Sequence, residues 1–238
     1  MARETVLYLP GLLCDRAVWE AQIAALSGRY DCIVADYDTA DSLAAMAHRA
    51  LAMAPERFVL AGHSMGGRVA LEVMRNTPER VTKLALLDTG YQGRPPGPAG
   101  EAEAAKRHHL LDIAVSRGMR AMGREWVQGM VSPERLGDAA LIESILAMLE
   151  RKTPVIFAAQ IRALLGRPGA ESVLRAIRCP TLILCGRLDA WSPLARHEDM
   201  ARMAQGAQLV VIEDSGHMVT LERPEQVNAA LTSWLGLD

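Results

Sequence analysis

Six short runs of aliphatic and β-branched residues recur along the chain, each closed by turn residues: TVLYL (5–9), DCIVAD (31–36), FVLAG (58–62), LALLD (84–88), TLILCG (181–186) and LVVIED (209–214). They are nearly continuous in apolar character rather than alternating, the pattern of strands covered on both faces in a parallel sheet. Between the first four, helical periodicity takes over: AVWEAQIAALSG (17–28), DSLAAMAHRALAMAP (41–55) with Asp41 or Ser42 as N-cap, and MGGRVALEVMRNTPER (65–80), ended by Pro78. Regular alternation of strand and helix predicts an α/β three-layer sandwich, a mostly parallel sheet with right-handed crossovers.

The alternation breaks after Asp88. TGYQGRPPGPAGEAEA (89–104) is rich in Gly and Pro and reads as an exposed, mobile link. From about residue 102 to 165 the pattern is helical, with apolar positions at Met122, Trp126 and Met130 and again at Ile142, Ile145, Leu146 and Leu149. Strand signals resume at Pro180. The expected organisation is one α/β core, residues 1–90 and 171–238, interrupted by a helical insertion over 91–170 that is too long for an ordinary loop.

Charge narrows the function classes. The 26 basic and 28 acidic residues give a formal net charge of -2 without a long run of either sign, so nothing recruits nucleic acid or an anionic bilayer. Cys14, Cys32, Cys179 and Cys185 are scattered without a C-x-x-C pair, which fits a reducing compartment. The apolar run near the N-terminus is too short for a signal peptide or a membrane span, and the expected location is cytoplasmic.

The chemistry concentrates in GHSMGG. The sequence G-x-S-x-G, Gly62 to Gly66, follows a buried-strand run and opens a helix, the context of a nucleophile elbow. So tight a turn leaves no room for side chains two positions before and after the serine, and both positions are glycine. It lifts the Ser64 hydroxyl above the C-terminal ends of the strands, where parallel sheets place their sites. A serine hydroxyl is a weak nucleophile that needs a base, and the base needs an orienting acid. His217, after LVVIEDSGH, and Asp189, after TLILCGRLD, supply both at strand ends in the order Ser, Asp, His. Asp88 also ends a strand and is the competing acid, its other expected role being to cap a turn.

The remaining histidines read as structural. His48 is expected at the surface or half-buried, and His63 as structural filling. His108 and His109 read as mainly exposed and His197 as solvated. None has metal-ligand spacing, so neither a metal nor a cofactor is expected. For the oxyanion of acyl transfer, the backbone N–H of Met65 is one expected donor. That of Leu12 is the other, in the loop LPGLLCD where Gly11 permits close approach. Cys14, in the same loop, reads as a small packed residue.

With these residues in place the chain resembles the α/β-hydrolase fold superfamily over nearly its whole length. YLPGLLCD is similar to the oxyanion loop, with Pro10 where relatives commonly carry histidine; GHSMGG, LILCGRLDAWSP and IEDSGHMVTLERPEQVNAAL match the nucleophile, acid and histidine blocks. The resemblance implies a six-stranded sheet of order 2-1-3-4-5-6, lacking the N-terminal hairpin of many relatives, with 91–170 as a helical cap over the serine. Its Met and Leu faces suggest an apolar acyl or alkyl pocket, the other reading being that most of them pack the cap onto the core. The implied function is a serine hydrolase acting on small-molecule carboxylic esters, or thioesters, of small or medium acyl groups. C–C bond hydrolysis, lyase chemistry, perhydrolysis, or a slow-turnover ligand receptor of the same fold remain open, as does the oligomeric state.

Overall fold

The structure is a computed structural model that describes residues 3–237. Its six strands are β1 (Thr5–Leu9), β2 (Asp31–Val34), β3 (Phe58–His63), β4 (Val81–Leu87), β5 (Thr181–Gly186) and β6 (Gln208–Ile212). They form one sheet of order β2-β1-β3-β4-β5-β6, every pair parallel, which is the order the resemblance implied. The central strands β1, β3 and β5 are buried at every position, while the edge strands β2 and β6 are partly open. β4 begins earlier than its apolar run because Val81 and the half-buried Lys83 already pair with β3, with Thr82 the extra residue where the register shifts, so hydrophobicity alone misses the start of the ladder.

The helices are α1 (Glu20–Leu26), α2 (Leu43–Met53), α3 (Met65–Asn76), α4 (Pro98–Arg117), α5 (Met119–Trp126), α6 (Ala139–Glu150), α7 (Pro154–Leu165), α8 (Glu171–Ala176), α9 (Leu194–Met203), α10 (Val219–Glu222) and α11 (Pro224–Leu235). The N-cap of α2 is Ser42, whose hydroxyl accepts from the Ala45 amide at 3.2 Å. Helices α4 to α7 fall between β4 and β5; α5 packs on α4 and α6, and α4 on α7. Among the described residues no helix is long and apolar enough to cross a membrane.

The stretch 89–104 departs from the expected exposed link. Thr89, Gly90 and Tyr91 are buried, and α4 already starts at Pro98, where the fixed φ of proline suits a first helical turn. The exposed residues are Arg94–Ala99, Glu101 and Ala102. Met130, expected in helical register with Met122 and Trp126, lies beyond the end of α5 yet is buried all the same.

Helix α3 rides close over the sheet, and glycine makes this possible. A methyl group on Gly66 would collide with the Leu9 carbonyl, and one on Gly62 would stand 2.5 Å from the Gly66 oxygen. Both obstacles are backbone and cannot swing aside. Gly66→Ala should therefore cost about 3 kcal/mol or more in urea unfolding. Gly28→Ala, where nothing lies within 4 Å, should change stability by less than about 1 kcal/mol.

Candidate active site

Between β3 and α3 the chain turns at Ser64 with φ 54° and ψ −118°, a left-handed region that a residue with a side chain enters only under constraint. The constraint is visible. The Ser64 amide donates to the Leu87 carbonyl at 2.9 Å, prolonging the β3–β4 ladder, while its own carbonyl accepts from the Thr89 hydroxyl at 2.6 Å and the Gly67 amide at 3.0 Å.

The Ser64 Oγ lies 2.8 Å from His217 Nε2, and His217 Nδ1 lies 2.8 Å from Asp189 Oδ2. A carboxylate only accepts, so Nδ1 carries the proton and donates to Asp189, leaving Nε2 free to accept from the serine hydroxyl. Asp189 Oδ1 accepts from the Trp191 and Ser192 amides, both at 2.8 Å. Burial raises the Asp189 carboxyl, but the neighbouring His217, by charge and hydrogen bond, and these two amides outweigh it and hold the group below the usual carboxylate value.

Asp88, the competing acid, does not reach the His217 ring nitrogens by hydrogen bond. Its oxygens accept from the Gly186 amide at 2.9 Å and the Val219 amide at 3.1 Å, tying β5 to the start of α10. Burial, then the charge of nearby Asp189, drives the Asp88 carboxyl well above its ordinary value. Two carboxyl groups after adjacent strands are thus pushed in opposite directions by their surroundings.

His63 donates from Nε2 to the His217 carbonyl at 2.8 Å, and its Nδ1 is buried without a partner. Burial, then the His217 charge, lowers it to about 3, so the 3.7 Å approach of its ring to Asp88 is not an ion pair. His197 corrects the sequence reading: it is fully buried rather than solvated. The Thr89 amide donates to its Nε2 at 3.0 Å, which requires that nitrogen to be bare and places the proton on Nδ1, facing the Pro193 carbonyl at 3.3 Å. Burial lowers His197 to about 4. His48, His108 and His109 are exposed.

Two anchors escaped the sequence reading. Glu222, buried in α10, gathers the Ser132 amide at 2.8 Å, the Gly216 amide at 3.0 Å and the Met218 amide at 3.2 Å, while the Met130 carbonyl accepts from the His217 amide at 2.9 Å. The histidine loop is thereby stitched to the segment after α5. Gln160 of α7 accepts from the Leu13 amide at 2.7 Å, holding Leu13 at φ 58° in the loop after β1. Gln160 is signalled by no motif, because it acts on a backbone amide distant in sequence; Glu222 falls within the block that follows the histidine, yet its reach to the Ser132 amide 90 residues away is not written there.

Leu12, Met65, Ser64 and His217 line a cavity of about 910 Å³. Trp191 stacks on Trp126 at 5.3 Å and lies 5.1 Å from the His217 ring, closing one wall. The rest of the lining combines apolar groups, among them Pro95, Pro96, Leu110, Trp126 and Leu164, with basic side chains that the Met and Leu patterns did not announce: Arg68, Arg107, Arg167 and Arg196. Cys14 is buried, and burial, then the charge of Asp15, pushes its thiol up to about 12, so it stays protonated. Among the described residues no three His, Cys, Asp or Glu side chains come together in a way that could hold a metal ion.

Residues 6–230 match the alpha/beta hydrolase family. Among curated proteins, the chain is 32% identical over 180 residues to the dihydrolipoyllysine-residue acetyltransferase component of an acetoin cleaving system from Pseudomonas putida, covering 74% of this chain and 45% of that protein. It is 29% identical over 178 residues to a pimeloyl-[acyl-carrier protein] methyl ester esterase from Aromatoleum aromaticum, covering 72% of this chain and 71% of the relative. Thus the chain spans less than half of the first relative and about seven tenths of the second. Among solved structures, a thermophilic esterase from Thermogutta terrifontis in a malate-bound form superposes with a TM-score of 0.84 at 29% identity, covering 98% of this chain and 91% of that one.

The buried neutral histidines set an acid limit on stability. Unfolded histidine takes a proton near about 6.5, whereas folded His63 and His197 resist protonation down to about 3 and about 4. The unfolded state binds more protons in that window, so stability falls as pH drops from about 6.5 toward about 4, by up to about 1.4 kcal/mol per pH unit for each histidine. Urea unfolding across this range should show that loss, and His197→Gln, which keeps an acceptor for the Thr89 amide, should flatten the slope by up to one proton.

Proposed function

The chain belongs to the alpha/beta hydrolase family, and from that premise we propose that it is a serine hydrolase cleaving carboxylic esters, thioesters included, of small or medium acyl groups. The observation that carries this reading is the unbroken hydrogen-bond series Ser64 Oγ, His217 Nε2, His217 Nδ1 and Asp189 Oδ2, with two links of 2.8 Å, opening onto the cavity. Two of the relatives are named for ester cleavage, which supports an ester as the substrate. Helices α4 to α7, within residues 91–170, act in this reading as a cap over the serine.

In the proposed reaction the Ser64 oxygen attacks the carbonyl carbon while His217 Nε2 takes its proton. The tetrahedral oxyanion is held by the Leu12 and Met65 amides, donors of which each is worth about 3 kcal/mol where such a hole has been probed. The alcohol or thiol leaves with the proton from His217. A water molecule then attacks the acyl group, gives its proton to the same nitrogen, and Ser64 recovers that proton as the acid departs. Asp189 keeps the imidazole in the tautomer that leaves Nε2 free and offsets its charge when protonated.

A fluorophosphonate probe should label the wild-type protein and Ser27→Ala, and leave Ser64→Ala unlabelled. Steady-state hydrolysis of short-chain p-nitrophenyl esters should fall by about 10³-fold or more in Ser64→Ala and by about 10³- to 10⁴-fold in Asp189→Asn. Labelling of Ser64→Ala equal to wild type would end this reading.

A further inference from the structure

The cavity beside Ser64 is cationic in a chain whose formal net charge is -2. Six basic side chains line it, against one carboxylate, that of Glu103. Glu103 is already committed: Arg167 grips it through both terminal nitrogens at 2.6 and 2.7 Å, and Arg107 reaches it at 2.9 and 3.0 Å.

Arg68 and Arg196 have no such partner. Among the described residues neither forms an ion pair with a carboxylate, and both are at least half-buried. Arg68 Nη1 donates to the Gln92 carbonyl at 2.8 Å, and Arg196 Nη1 to the Trp191 carbonyl at 3.0 Å, so each guanidinium keeps several donors unused. The two groups converge. A methyl group on Gly90 would stand 2.9 Å from Arg68 Nη2 and 3.3 Å from Arg196 Nη1, so the bare glycine is what allows both to abut one point. Burial, then the like charges of Arg167, Arg196 and Arg107, pulls the Arg68 guanidinium down to about 9, a repulsion that a bound anion would relieve. Arg68 sits four residues after Ser64 on α3, about 6 Å along the helix axis.

We propose that the substrate carries, besides the bond that is cleaved, an oxyanion, carboxylate or phosphate, gripped by Arg68 and Arg196 one helical turn from the serine. This rests on the serine-hydrolase reading above and narrows it to short esters with an anionic end. A planar guanidinium offers paired N–H donors to the oxygens of either group, and two guanidiniums meeting at one glycine can share them. A neutral ester in the same cavity leaves both cations buried and unpaired, so discrimination follows from what the neutral substrate fails to satisfy.

The test compares kcat/KM for monomethyl glutarate, methyl 4-phosphonobutanoate and dimethyl glutarate. One or both anionic esters should exceed the diester by about tenfold or more, and the better of the two identifies the oxyanion. Arg68→Met and Arg196→Met should each bring that ratio down toward one, with partial recovery in Arg68→Lys. Gly90→Ala, which keeps every charge but displaces both guanidiniums, should also lower the ratio, whereas Arg162→Gln on the exposed side of α7 should leave it unchanged.

A binding readout separates the two readings. Glutarate should bind the Ser64→Ala protein in calorimetry and bind more weakly once Arg68→Met or Arg196→Met is added. Fluorophosphonate labelling of the wild type, combined with equal turnover of diester and half-esters and no glutarate binding to Ser64→Ala, overturns the anion site and leaves the hydrolase reading standing. Arginine-dependent glutarate binding without labelling or turnover does the reverse.

Discussion

The backbone at Ser64 is the point on which the rest of the molecule hangs. A non-glycine residue at φ 54° costs on the order of 1 to 3 kcal/mol, and it persists because the sheet below and the helix ahead leave it no other conformation. Its amide is spent on Leu87 of β4 and its carbonyl on Thr89 and the first turn of α3. Held in this way, the hydroxyl cannot sink into the helix and must project above the strand ends. The same turn starts α3 immediately, so Gly66 falls against the Leu9 carbonyl and Arg68 falls one turn further along the cavity wall.

Around that turn the buried polar groups divide by environment rather than by type. Three histidines lie within the same few layers, yet only His217 has a carboxylate on Nδ1 and a hydroxyl on Nε2. His63 and His197 have backbone partners, and burial keeps them neutral. Of the two buried aspartates that follow β4 and β5, Asp189 is held down by an imidazole and two amides, while Asp88 is pushed up beside it. Asp88 joins β5 to α10, and so helps fix the segment that carries the histidine.

The helices between β4 and β5 are tied to the core by polar stitches as well as by apolar packing. Gln160 holds the loop after β1, Glu222 holds Ser132, and Met130 holds the backbone of His217. Each of these bonds ties a segment bearing a candidate site residue to the insertion. The cavity between the two layers therefore inherits its shape from both, and its cationic lining comes from α3, α4, α9 and the turn after α7 together.

The strand runs, their parallel arrangement and the meeting of Ser64, His217 and Asp189 were legible in the sequence. A doubly covered strand needs continuous apolar residues, and a tight strand-to-helix turn needs glycines two residues either side of its apex. Those are local demands, written in neighbouring positions. The burial of His197, the hold of Glu222 on three amides, the early start of α4 at Pro98 and the convergence of Arg68 with Arg196 were not legible. Each depends on which segments the fold lays side by side. An amphipathic helix reads the same whether its histidine faces water or a buried amide, and a surface arginine has the same letter as one facing another across a glycine. By itself, then, the sequence determined the sheet and the serine turn. Only the tertiary structure decided the charge of the cavity, because charges some 130 residues apart become neighbours only when α3 and α9 close around Gly90.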